Sequence, residues 1–196
     1  MKQRATTGLD DFKLLLKEFR GLSVWAVGSG LAVPFVAAMA DFSPPWPPGI
    51  VPVTAVVELM TLVIMFQYFK NTARRIVNRV LIISVIFFVI AGLPYLFVLS
   101  LYTYQVPVTK QRFVKGYECT IDAKVVFKER CPDLGLDELQ TAEYRAERLW
   151  TLKSISIIRI ILVSAWSMTF AALSSALGVF LVYQMRVKQT KFDLKK

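Results

Sequence analysis

Glu58 is the one charged residue in the apolar run 50–69, and Arg159 is the one charged residue in the run 155–183. An ionisable side chain in apolar surroundings carries a proton, lines a polar path or neutralises an opposite charge. Glu58 lies eight residues beyond Ile50 and Arg159 about one turn into its run. A Glu58–Arg159 pair is therefore expected, relieving the cost of both charges and fixing which helices are neighbours. The alternative makes Glu58 part of a polar path, with Thr54 and Thr61 near its face. The chain contains no His, so it lacks the commonest general base and the commonest metal ligand. Its two cysteines, Cys119 and Cys131, make a poor metal site without imidazole partners. No P-loop, dinucleotide fingerprint or Gly-x-Ser-x-Gly motif is present. The expectation is a protein that is not an enzyme and holds no cofactor or metal.

These residues must be positioned by long apolar elements. The chain is 55% hydrophobic yet carries a net charge of +10, and its apolar residues fall into four blocks over 22–42, 50–69, 80–102 and 155–183. A hydrocarbon core about 30 Å thick needs roughly 20 apolar residues of helix. Each block meets that length, and the first is too long and lacks the cleavage site of a signal peptide. The fold class expected is an all-α integral membrane protein, a bundle of four transmembrane helices. Lys and Arg cluster at the N-terminus, at Lys70, Arg74, Arg75 and Arg79 in the middle loop, and at Arg186 and Lys188 in the tail. Positive charge beside helix ends marks the cytoplasmic side, so both termini face inward. The excess basic charge is explained by anionic lipid and requires no nucleic-acid partner.

The segment 103–154, between the third and fourth helices, has nearly balanced charge and contains both cysteines. It reads as a small extracytoplasmic α+β domain stapled by a Cys119–Cys131 disulfide, as an oxidising compartment permits. Residues 104–127 read as strand-rich, including Val125, Val126 and Phe127. From Leu136 to Trp150 the apolar period turns helical, giving an amphipathic helix with Glu138, Glu143, Arg145, Glu147 and Arg148 on its solvated face. Trp150 would then anchor the entry to the last membrane helix, as Trp46 would anchor the proline-rich turn 43–49. The organisation is thus a cytoplasmic amphipathic helix over 1–21, transmembrane helices over 22–102, the outer domain over 103–154, a last span over 155–183 and a basic tail over 184–196. Small residues stripe the first span at Gly28 and Gly30 and the last at Ser174, Ser175 and Gly178, a pattern for close packing within or between chains. Ser167 joins Ser174 and Ser175 as a polar stripe that an oligomer could turn toward a pore.

The Pro-Pro-Trp-Pro-Pro turn over 44–48, the pair Cys119 and Cys131-Pro132, and the run AEYRAERLWTLKSI over 142–155 carry a resemblance. In topology the chain resembles small four-helix membrane proteins of bacterial antiviral and conflict systems, which implies the bacterial inner membrane. Its short first and long second outer loops are also similar to those of tetraspanins, whose Cys-Cys-Gly signature it lacks. Two functions follow as expectations. One is a membrane sensor or scaffold, oligomeric and joined to a cytosolic protein partner. The other is an oligomeric channel or membrane-disrupting effector.

Overall fold

The computed structural model describes residues 22–107, 110–128 and 130–193. The expected amphipathic helix over 1–21 lies outside them, as do the side chains of Arg186 and Lys188. The fold is 71% helical. Helix α1 runs over Leu22–Met39, α2 over Ile50–Phe69 and α3 over Arg74–Tyr102. A short hairpin, β1 (Thr103–Gln105) and β2 (Arg112–Val114), follows, then α4 (Ile121–Val126), α5 (Leu136–Thr141), α6 (Ala146–Leu149) and α7 (Leu152–Asp193). Among the described residues, three helices are long and apolar enough to cross a membrane: Ile50–Phe69, Arg74–Tyr102 and Leu152–Met185. They also leave large apolar side chains uncovered, among them Ile64, Ile90, Leu93 and Phe97, each more than 60% exposed. Apolar surface this dense is stable against hydrocarbon and not against water. The length and composition of these helices are those of a multi-pass membrane protein.

Two compact units divide the chain. The first includes Val51–Ile90 and the chain from Met168 onward. Its core joins Leu62, Phe66 and Phe69 of α2, Val77 of α3 and Val179, Leu181 and Val182 of α7. The middle loop is shorter than expected, because α3 begins at Arg74 and takes Arg74, Arg75 and Arg79 into its first turns. Arg74 lies over the Tyr183 ring, 5.6 Å from its centre, which holds the start of α3 in helical geometry against α7.

The second unit comprises Phe42–Ile50 and Ala91–Ser167. Its hairpin is antiparallel, with Thr103 opposite Val114, Tyr104 opposite Phe113 and Gln105 opposite Arg112. Tyr95 donates its hydroxyl hydrogen to the Phe42 carbonyl, tying the proline turn to α3. Two sequence expectations fail here. Val125 and Val126 are helical, not extended, because Thr120 accepts the Ala123 amide and caps α4, with Asp122 in the first turn. The single amphipathic helix over 136–150 is broken in two. Glu143 and Tyr144 take φ values of +57° and +55°, and the Tyr104 hydroxyl donates to the Tyr144 carbonyl at 3.0 Å. A tertiary hydrogen bond to a left-handed residue overrides helical periodicity at that point.

Candidate functional site: a buried seam and a stapled joint

In the first unit, α2 and α7 meet at a glycine. A Cβ on Gly178 would stand 2.9 Å from the Leu62 carbonyl oxygen and 3.0 Å from Met65 Cβ, so only glycine allows this approach. One turn earlier on each helix, Ser174 Oγ lies 3.2 Å from Glu58 Oε1. Glu58 pairs with Ser174 and Leu62 with Gly178, so the contacts advance together and the two helices run parallel. Glu58 is 1% exposed, and its Oε2 has no hydrogen-bond partner among the described residues. Ser174 Oγ also lies 2.8 Å from the Phe170 carbonyl. The hydroxyl has one hydrogen for two acceptors. When that hydrogen goes to Phe170, the serine oxygen is free to accept from a protonated Glu58, so this seam can hold a proton between the two side chains.

The described hydrogen bond of Glu58 comes from Ser174, whereas the expected Glu58–Arg159 pair would join residues of two separate units. Arg159 belongs to the second unit, where its Nε is buried without a hydrogen-bond partner among the described residues. Sequence position gives approximate depth along each helix but not the slide and rotation set by Gly178. Of the other striped residues, Ser175 donates to the Ala171 carbonyl at 2.7 Å, a local bond within α7. Ser167 is exposed. A Cβ on Gly28 would meet nothing within 4 Å, so Gly28 makes no close contact with described residues of its own chain, and Gly30 is described only as backbone of α1. Thr61 turns its hydroxyl back to the Val57 carbonyl and so spends its hydrogen within α2.

In the second unit, Cys119 and Cys131 form a disulfide. The loop it closes holds α4. Backbone hydrogen bonds run from Thr120 N to the Leu149 carbonyl and from Thr151 N to the Glu118 carbonyl, both 2.9 Å, with Cys119 bridged to Trp150 between them. These bonds join the stapled loop to the residues directly before α7. Trp150 is fully enclosed and donates its indole hydrogen to the Pro132 carbonyl at 3.1 Å. It is a core residue of this joint, which corrects its expected role as an interface anchor: a ring with no exposed surface has none to offer the headgroup layer. Trp46, by contrast, is 43% exposed. Gly116 packs against the joint so closely that a Cβ there would lie 2.6 Å from Trp150 Cβ and would also strike Ser154 Oγ.

Two titratable groups stiffen this unit. Glu138 accepts from Arg130 at 2.7 Å and from the Gly135 amide at 2.9 Å, capping α5. The Arg130 hydrogen bond, followed by backbone hydrogen bonds, holds its carboxyl below the ordinary 4.5. Burial pushes the Tyr104 phenol up to about 12, with a backbone hydrogen bond at Ala146 opposing. Neither group faces a catalytic partner, and both serve the packing of the joint. No sequence signal announced the joint's two glycine-dependent contacts. The Thr120 cap was missed, although a Thr with an acidic residue in the turn after it is a helix-start pattern.

Comparison of the chain with protein-family models, with curated proteins and with solved structures finds no match.

Proposed function

We propose that the protein is a non-enzymatic membrane sensor or scaffold subunit with four spans, both termini in the cytoplasm and the segment 103–151 outside. The observation that carries the reading is the joint at Trp150. The stapled loop is hydrogen-bonded to the residues that lead into α7, and α7 then continues without a break for 42 residues to Asp193. A span needs only about 20 of them. One helix therefore connects the outer segment to the opposite face, as a transmitting element requires. The parallel run of α2 and α7 supports the topology, because α3 must return the chain to the side on which α2 began. The 18-residue α1, Leu22–Met39, supplies the fourth span, and the basic clusters at Arg74, Arg75 and Arg79 and in the tail assign the inner side.

Ser174 and Ser175 give their hydroxyl hydrogens to groups within the bundle, which supports a packing seam over a pore lining. The subunit works as a homo-oligomer with a cytosolic protein partner in a bacterial inner membrane, in the manner of antiviral defence components. The output of the sensor is assigned to that partner. Native mass spectrometry of the complex, released gently from its own membrane, tests the reading. The expected result is several copies of this chain with a stoichiometric cytosolic protein. A homo-oligomer alone that conducts ions in planar bilayers would replace the sensor with the channel.

A further inference from the structure

Helix α4 offers an apolar surface that the described residues leave uncovered. Ile121 is 81% exposed, Val125 65% and Val126 71%, whereas Ala123 alone faces inward at 3%. Ile121 and Val125 are four residues apart and share one face. In a water-facing helix these positions would be polar. The disulfide and the Thr120 cap hold the helix in place, so the exposure is a feature of an ordered element rather than of a frayed end.

The joint determines where that surface lies. Thr120, the cap of α4, is hydrogen-bonded to Leu149, and Cys119 is bridged to Trp150. Leu152, two residues later, is the first residue of a membrane-length helix and is itself 64% exposed. Farther along α7, Ile160 is exposed to a similar degree, at 60%. The apolar face of α4 is thus tethered beside the start of α7, whose first residue is itself an uncovered apolar one. Lys124 and Lys153 flank the region, both exposed. Lys124 lies 3.6 Å from Glu118, a surface pair too weak to hold it from a phosphate.

We propose that α4 inserts Ile121 and Val125 into the leaflet that α7 enters at Leu152, with Asp122 and Val126 toward the headgroups and Lys124 and Lys153 at the lipid phosphates. The occupant of the surface is the bilayer itself. An apolar helical face flanked by Lys lies at the boundary between headgroups and acyl chains, about 5–10 Å deep. This rests on the sensor reading and deepens it: the quantity met by the outer segment is the packing or composition of its own leaflet, passed to α7 through the Trp150 joint.

The test uses the full chain in liposomes of phosphatidylcholine and phosphatidylglycerol, with lipids brominated on the acyl chain. A fluorescent noncanonical amino acid, which leaves the disulfide intact, replaces Val125, Ile160 or Asp137 in turn. The expected result is that bromolipid quenches the probe at 125 as it does at 160, while only aqueous iodide quenches the exposed 137 position. Ile121→Asp should reduce bromolipid quenching at 125 by about twofold or more. Formation of the Cys119–Cys131 bond, read by mass before and after reduction, shows that the variant has folded. Quenching at 160 but not at 125 overturns the insertion and leaves the membrane reading intact. Iodide quenching at 125 that disappears only when a protein is added overturns it in favour of a protein partner. Absence of bromolipid quenching at 160 overturns both readings together.

Discussion

Gly178 and Glu138 show how much of this protein depends on single atoms. At Gly178 the atom a side chain would strike is a backbone oxygen of α2, which cannot swing away. Gly178→Ala should therefore lower stability by about 1–3 kcal/mol, the usual cost of overpacking. Gly28→Ala should leave it unchanged or slightly raised, because nothing crowds that position. Thermal unfolding of the detergent-solubilised chain compares the two. Glu138 makes a pH prediction. Its folded carboxyl titrates below the ordinary 4.5, so its contribution is fully present above that value and is lost as pH falls through the folded one. The stapled unit should loosen in that acid window, read as amide exchange in α5 and α6. Glu138→Gln should flatten the dependence, having already lost the charged partner of Arg130. Above neutrality the opposite sign applies to Tyr104. Its neutral form is favoured by folding, so its contribution holds below 10 and is lost as pH rises toward about 12.

At the scale of elements, long apolar runs were legible and short ones were not. The limits of α2 match the apolar run 50–69, because a membrane helix is defined by composition over a length that no local contact alters. The disulfide was legible as well, from two cysteines in a long segment free of basic bias. By contrast, α4 is six residues long, and its Val-Val-Phe end carries strand propensity; a cap and a covalent loop decided against that propensity. The break at Glu143 and Tyr144 depended on Tyr104, forty residues away, and no window of sequence contains both. The Glu58 partner was missed for a related reason, since helix rotation is a property of pairs. These causes predict unequal effects of mutation. Thr120→Ala should cost about 1 kcal/mol. Replacing both Cys119 and Cys131 by Ser should cost about 3 kcal/mol, the chain-entropy value for a loop whose ends are 12 residues apart. Limited proteolysis within 121–131 provides the comparison, with the double variant cut fastest.

Over the whole molecule, the direction of each helix makes the strongest prediction. Parallel α2 and α7 support the proposal that the segment 103–151 begins and ends on one side of the bilayer. Alkaline phosphatase fused after Lys110 should therefore be active in the periplasm. A fluorescent protein fused after Asn71 or at Lys196 should fold in the cytoplasm, and the reverse pattern would invert the topology proposed above. Gly116 has a further consequence for anyone who wishes to take the protein apart. Its missing side chain is what lets the strand before Cys119 lie flat on Trp150 and Ser154. A bulky replacement there acts as a wedge in a clutch: it parts the outer segment from the drive shaft of α7 without cutting the chain, the disulfide or any span. On the sensor reading proposed above, Gly116→Val is thus a genetic disconnect between the outer segment and the membrane helices.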